Sequence, residues 1–578
     1  MAVTGGTVDM KTAVGFPFPQ GCTVEGQTAN FSVAVPEGQT CELIIYKKGA
    51  RASAFSQEMP YSDVAGNLHF LSVVLEQPED YEYCYKIGGK IVPDPYGKAF
   101  SGREHWSVSK GKEKRKLRTR IVTDTFDWGK SQFPHLKKED VIAYSLHVRG
   151  FTKHSSSGVA HKGTFDGVTE KLPYLQKLGI NQIHLMPVYE FDENQRHVNY
   201  WGYGKAYFFA PKASYAAGDP VNEMKSLVRQ MHLAGIEVIL EMPFTEGTTF
   251  SLILDCLRYW VMQYHVDGFI VNPYICNPDE LAKDPVLAKS KILKKEDGFQ
   301  NVMRRFLKGD EGVVTDVMYQ TRKRWDLEGI YNCITTHTGF TLKDLVSYDG
   351  KHNEANGENN QDGPDYNYSW NCGAEGLTRK KAVLELRKNQ MRNAMFLLLL
   401  SQGVPCILAG DEFANSQKGN NNVYCQDNPI GWLNWRNLLK EQEMYQFVKQ
   451  LIKFRKKYRL FHQEKELLGI DQSGCGMPDV SYHGEMAWRA PTEVASRQIG
   501  IYYSSQDKEE ADCFVAYNMH WLEHEFALPA LKKGRKWYRA ASTKEGILKD
   551  LVVLENQRNI ELDEREIVVL VSGKGETV

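Results

Sequence analysis

Carboxylates and lysines stand at the ends of apolar segments. Glu241 lies at the end of IEVILEM (236–242), with Glu246 just beyond it, and SKILKK (290–295) runs through Lys294 and Lys295 into Glu296 and Asp297. Two carboxyl groups held about 5 Å apart, one ionised and one protonated, are what acetal hydrolysis by a nucleophile and a general acid requires. Glu241, Glu246, Glu296 and Asp297 are therefore the carboxylates that could supply such a reaction. A lysine in the same enclosure has a different effect, because an unpaired buried charge must find a counter-charge or lose its proton. Polar side chains also gather in HNEANGEN (352–359) and SWNCGAEG (369–376), where Asn and Gly serve turn chemistry as readily as binding. Asp411 and Glu412 follow a late apolar segment, VPCILAG.

The elements that must position these groups can be read from the periodicity. From about residue 140 a strand-then-helix texture repeats. VIAYSLHV is followed by a helix carrying Val168, Leu172, Leu175 and Leu178, stopped by Gly179, and then by INQIHLMPV. A second helix carries Met224, Leu227, Val228 and Met231 on one stripe and feeds IEVILEM; a third carries Ile253, Leu257, Val261 and Tyr264 and feeds VDGFIVN (266–272). SKILKK, GIYNCITTH (329–337) and VPCILAGDEF (404–413) continue the series as continuously apolar strands covered on both faces. Such a succession predicts an α/β fold, a (β/α)8 barrel. The short alternating segments ANFSVAV, CELIIYKK and YEYCYKIGG predict a β-sandwich before it, and RQIGIYYSS, DCFVAYNMHW and REIVVLVSG predict a second one after it. The expected division is a first sandwich over 1–115, a linker over 116–139 containing the end of the basic run KGKEKRKLRTR, the barrel over 140–459, and the last sandwich over 460–578.

Length and composition agree with a large globular protein. The chain has 578 residues, enough for about three to five domains or one large domain with flankers. Its 71 basic and 72 acidic residues leave a net charge of -1, so nucleic acid is not an expected partner. Eleven cysteines without a CxxC pair point to reduced thiols in the cytoplasm, with neither a disulfide framework nor a metal site, and no cofactor is expected. The N-terminal stretch has no signal-peptide pattern. The longest apolar run, Ala394 to Leu400, is broken by Ser401, Gln402, Gly403 and Pro405, so no membrane span is expected.

Several longer motifs now carry a resemblance. NYWGY (199–203), FFAPKASYA (208–216), VDGF (266–269), HNEANGEN, SWNCGAEG and the stretch from LLLLSQGVPCILAGDEF to GNNNVYCQDNPIGWLNW (397–435) resemble glycoside hydrolase family 13, in its isoamylase and glycogen-debranching branch. GFPFPQGCT (15–23) and DPYGKA (94–99) look like that branch's family 48 carbohydrate-binding module, and NMHWLEHEFALP (518–529) looks like its C-terminal β domain. The resemblance implies a barrel acting at α-1,6 branch points of α-glucans, with three carboxylates at the C-terminal ends of its strands.

Those three positions depart from the family pattern. The nucleophile motif GFRxD reads Gly268, Phe269, Ile270, Val271, Asn272, and a carboxamide is a far weaker nucleophile with no charge to offer an oxocarbenium-like transition state. By the most direct register the acid/base Glu has become Lys295. A one-residue slip would put Glu296 there, but alternation along the strand would then turn its side chain to the wrong face. The HD of the seventh strand has become His337 and Thr338, and the DxxxNH of the third has become Glu241, Met242, Pro243, Phe244, Thr245, joined by a short connection to the helix near Phe250. The resemblance therefore implies a barrel without its catalytic residues, with Asn272, Lys295 and Thr338 in their places.

In such a barrel Glu241 and Lys295 end strands two spacings apart, roughly 9 to 10 Å between backbones. Their side chains can span that gap, so Glu241, Asn272 and Lys295 are expected to form a charge-neutral cluster. Trp201, Tyr203 and His337 remain to stack on a glucose ring or bond to its hydroxyls, or else to pack as inherited framework; His352, Asn353 and Trp370 are further glucan-contact candidates. The leading expectation is a cytoplasmic, non-hydrolytic protein binding glycogen or a starch-derived oligosaccharide. It would act as a regulatory or scaffolding subunit, with an active isoamylase-type subunit as the partner that the branch's precedent implies. The alternatives are a debranching hydrolase or transferase using relocated carboxylates, and a structural protein that no longer binds glucan.

Overall fold

Continuously apolar segments become parallel strands buried on both faces. In the computed structural model, which describes residues 10–107, 116–505 and 510–574, the central sheet contains β1 (Ala143–Leu146), β2 (Gln182–Leu185), β3 (Glu237–Met242), β4 (Gly268–Val271), β5 (Lys291–Leu293) and β6 (Cys406–Leu408). Their order is β5-β4-β3-β2-β1-β6, with every pair parallel. Between β5 and β6 the ring is closed by the segment 330–332, through bridges Lys294 to Ile330 and Asn332 to Pro405. The longer strand expected over 329–337 is confined to these two contacts. Gly329 ends a 3-10 turn in the left-handed region at φ 76°, and a β-carbon there would lie 2.7 Å from the Ile292 carbonyl oxygen, so the chain enters too abruptly for a longer ladder. The fold is the (β/α)8 barrel placed between two β-sandwiches.

Helices cover the strands where the apolar periodicity put them. In α1 (Pro220–Leu233) the Asp219 side chain accepts from Asn222 N at 3.0 Å and caps the N-terminus, while Met224, Leu227, Val228 and Met231 are fully buried. Helix α2 (Phe250–Tyr264) starts after the short connection 243–249 and buries Ile253, Cys256, Leu257, Trp260 and Tyr264. The single helix expected across 168–178 is divided into Phe165–Glu170 and Leu172–Leu178. Pro173 lacks an N–H and its ring excludes the carbonyl one turn back, so a new helix starts there.

In the first sandwich, one sheet orders Thr12–Ala13, Leu68–Val74, Thr28–Ala34 and Gly21–Glu25, and the other includes Cys41–Lys47, Tyr81–Ile87 and Arg118–Arg120. Phe31, Leu43, Ile45, Tyr83 and Tyr85 fill the space between them. Arg118–Arg120 lies in the stretch expected as linker, yet it pairs with Tyr81–Ile87 and Phe100–Ser101. Fully buried Thr119 accepts from Asp94 N at 3.0 Å and fastens it there. Residues 108–115, most of the basic run, lie outside the described residues. The last sandwich sets a six-stranded sheet, from Val480–His483 to Gly546–Val553, against the pair His524–Ala527 and Asn559–Leu562. Among the described residues no helix is long and apolar enough to cross a membrane.

Strand β4 runs very close to β5 at Gly268. A β-carbon on Gly268 would meet the Lys291 carbonyl oxygen of β5 at 2.1 Å, whereas one on Gly350 would have nothing within 4 Å. Gly268→Ala is expected to cost about 1–3 kcal/mol as an overpacked site, and Gly350→Ala close to nothing. Denaturant midpoints of the two variants check this.

Candidate functional site

At the C-terminal mouth of the barrel, Lys295, Tyr203 and His337 gather around one carboxylate. Glu241, at the end of β3, is 6% exposed. Its Oε1 accepts from Lys295 Nζ at 2.6 Å and from the Tyr203 hydroxyl at 2.5 Å. The Tyr203 oxygen lies 2.7 Å from His337 Nε2, and Lys295 Nζ lies 3.4 Å from the same nitrogen. Since the phenol proton goes to Glu241, the Tyr203 oxygen is free to accept, which assigns the proton of neutral His337 to Nε2. Burial alone would raise the Glu241 carboxyl, but the charges of Lys295 and His337 and the bonds from Lys295 and Tyr203 outweigh it and hold the carboxyl at about 2. Burial, reinforced by Lys295, pushes His337 down to about 3. At neutral pH the centre is thus one carboxylate and one ammonium bridged by two neutral groups.

The expected cluster forms between Glu241 and Lys295, and Asn272 is corrected out of it. Asn272 is exposed; its Oδ1 accepts from Tyr274 N at 3.0 Å, and its carbonyl accepts from Ile275 N and Cys276 N. Pro273 turns the chain at this point, and a local side-chain-to-backbone bond captures the amide before it can reach across the strands. Tyr203 and His337 take the bridging place instead. Thr338 is exposed on the rim, 3.1 Å from the Thr336 hydroxyl. Glu246, Glu296 and Asp297 are also exposed, and the described hydrogen bonds join none of them to Glu241.

A cavity beside the cluster is lined by His147, Met186, Trp201, His337 and Thr341, but its volume is only about 50 Å³. Ligand pockets run to about 300–1,000 Å³ and a water takes about 30 Å³, so this space admits a water and excludes a hexose ring. Trp201 helps close it, buried and edge-on to His337 with centroids 5.0 Å apart. His147, which sequence reasoning left aside, lines the same space. Its Nε2 lies 2.9 Å from the Tyr200 carbonyl, its Nδ1 accepts from Gly150 N, and burial pushes it down to about 4. The signal for it was the one that marked Glu241, a polar residue ending an apolar strand.

The remaining candidates are engaged elsewhere. Asn353 is fully buried, donating to Asp362 O and Asn421 Oδ1 and accepting from Asn421 N. His352 points outward, with Nε2 3.1 Å from a Glu375 carboxylate oxygen. Half-buried Trp370 lies under the Arg565 guanidinium at 4.9 Å, where the barrel meets the last sandwich. Asp411 accepts from Thr335 and Leu342 N, and burial pushes it up to about 7; Glu412 accepts from Tyr144 and Tyr174. Both hold the last strand to its surroundings.

Comparison with known proteins places this geometry in context. Residues 138–246 match the alpha-amylase catalytic domain family. The sequence is 31% identical to "Isoamylase 1, chloroplastic" of Arabidopsis thaliana, over 90% of this chain and 84% of that protein. The alignment spans 674 positions, more than the chain's own length, so stretches of the relative have no counterpart here. A "Glycogen operon protein GlgX homolog" of Mycobacterium tuberculosis is 29% identical over 92% and 93% of the two chains. Among solved structures, the type I pullulanase of Bacillus subtilis complexed with maltose superposes with a TM-score of 0.72 at 19% identity, covering 96% of this chain and 85% of that one.

Two outcomes follow from the cluster. Lys295→Met leaves the Glu241 carboxylate buried without a counter-charge and is expected to cost about 3–5 kcal/mol at pH 7, measured by denaturant unfolding. Glu241 and His337 both titrate below their ordinary values of 4.5 and 6.5, so the folded centre binds fewer protons than the unfolded chain. Its contribution is complete above pH 6.5. The His337 part is lost as pH falls from 6.5 toward about 3, and the Glu241 part from 4.5 toward about 2. His337→Gln is expected to lose less stability than the parent between pH 7 and pH 4, read from unfolding midpoints across that range.

Proposed function

Since the chain belongs to glycoside hydrolase family 13, in its isoamylase and glycogen-debranching branch, we propose that it binds α-glucan without cleaving it. One observation carries the reading: where this family's chemistry calls for two facing carboxylates, Lys295 neutralises the buried carboxylate of Glu241 at 2.6 Å. A retaining glycosidase needs one carboxyl ionised as nucleophile and another protonated as acid. Glu241 is ionised but held by an ammonium and a phenol, and Asn272 carries no charge to stabilise a developing cation.

The competing enzymatic reading needs a second carboxyl about 5 Å from Glu241. Its candidates, Glu246, Glu296 and Asp297, are exposed on the connections around the mouth, and no observation favours it. Of the barrel-mouth candidates, Tyr203 and His352 keep exposed surface with which to touch a glucan, while Trp201, Asn353 and Trp370 hold the framework. The role that fits is a cytoplasmic glucan-binding component of glycogen or starch metabolism, acting beside an active isoamylase-type subunit.

The purified protein is expected to release no reducing ends from glycogen or pullulan above background, yet to be retarded in a glycogen-containing native gel. The double variant Asn272→Asp, Lys295→Glu is expected to remain inactive. It would place a new carboxyl beside Glu241 without opening the 50 Å³ cavity, whereas loss of catalytic groups costs about 10⁴-fold or more. Sugar release that scales with protein and disappears in Glu241→Gln would overturn the reading.

A further inference from the structure

Helix α2 carries two stripes. One is the buried set from Ile253 to Tyr264 that faces the barrel. The other is Asp255, Arg258, Tyr259 and Met262, spaced i, i+3, i+4 and i+7 and so aligned along one side. On the outside of a barrel this second stripe is ordinarily solvated charge. Here it forms one wall of an open groove of about 950 Å³, whose opposite wall is the first sandwich around Phe18 and Gln20. The chain leaving that sandwich, 122–124, and Lys225 of α1 complete the lining. The groove reaches the upper end of the range for ligand sites, about 300–1,000 Å³, in contrast to the 50 Å³ space beside Glu241.

The chemistry of the walls selects a class of ligand. Phe18 is 66% exposed and Met262 55%. Between them Tyr259 is seated against Phe209 at 5.6 Å, which is itself packed on Tyr96 at 4.8 Å, so the ring is a fixed platform. Most charges beside these apolar surfaces are already balanced, the exception being Lys98, which has a neutral carbonyl partner and lies over the Tyr259 ring at 5.8 Å. Lys225 bonds to Asp124 at 2.6 Å, Arg258 bonds to Asp284 at 2.5 Å and lies 3.5 Å from Asp255, and Lys98 donates to the Cys22 carbonyl. A phosphate-bearing ligand would meet Asp124 and Asp255. A wholly apolar partner would strip water from these ion pairs without replacing its bonds. A neutral polyhydroxyl chain satisfies both halves: the C–H faces of its rings stack on Phe18 and Tyr259, and its hydroxyls bond to carboxylates and a guanidinium whose charges are already matched.

We infer that this groove between the first sandwich and α2 is the binding site for a linear α-glucan chain. The inference rests on the glucan-binding reading above and relocates the main contact from the barrel mouth to the junction of two domains. A bound chain touches both walls and so couples the sandwich to the barrel.

Calorimetry with maltoheptaose on the full chain, with Phe18→Ala and Tyr259→Ala, tests it, together with hydroxyl-radical footprinting of Met262. The expected result is at least a tenfold rise in Kd for each variant, and protection of Met262 when maltoheptaose is bound. Phe18 is mostly solvated, so an unchanged melting temperature of Phe18→Ala separates lost binding from lost folding. If the parent binds maltoheptaose while both variants bind equally well and Met262 stays unprotected, the groove is not the site and the glucan-binding reading survives. If the full chain binds neither maltoheptaose nor glycogen, both readings fall.

Discussion

A charge buried in a barrel must be neutralised inside the barrel, and much of this protein's centre follows from that constraint. Two glutamate–lysine pairs are stacked in the interior. Glu237 meets Lys291 at 2.5 Å and Glu241 meets Lys295 at 2.6 Å. Each pair joins β3 to β5 across β4, and each partner recurs after four residues, an even spacing that keeps both members on the inward face. The intervening strand offers Gly268 and Ile270 at these levels, neither of which carries a charge that would compete for the lysines. The lower pair is also tied to Gln182 and to the backbone of Leu136, so it closes the bottom of the barrel as the upper pair closes the top.

The upper pair determines what the mouth can do. A carboxylate held at about 2 by an adjacent ammonium cannot alternate between acid and base near neutral pH. The oxygen that meets Lys295 also accepts from Tyr203, which in turn engages His337, and Trp201 packs edge-on beside them. Lys295, Tyr203 and His337 thus tie the Glu241 carboxylate into the framework at the centre of the mouth. Surface that can meet a polymer lies farther out, on the side where helix α2 faces the first sandwich.

Much of this was legible one residue at a time. Continuous apolar runs locate β1 to β6, Gly179 bounds a helix, and the rule that a buried lysine seeks a carboxylate pairs Lys295 with Glu241. Where reading went astray, a local bond or a distant partner decided. Asn272 is expected in the cluster, but Pro273 and the Tyr274 amide capture it within two residues. Arg118–Arg120 reads as linker because its partner strands, Tyr81–Ile87 and Phe100–Ser101, are distant in chain order.

Residue type and periods of two and about 3.6 suffice for the barrel between two sandwiches and for the charge pairing at the strand ends, because both are written in local order along the chain. Tertiary structure alone decided that Tyr203 and His337, 38 and 134 residues from their partners in chain order, would complete the pair. It also decided that the space beside this cluster would be only about 50 Å³ and that the outer stripe of α2 would line a groove. Local periodicity states which side of an element is apolar or charged, but the surface it meets is set by the packing of segments whose separation along the chain carries no such signal.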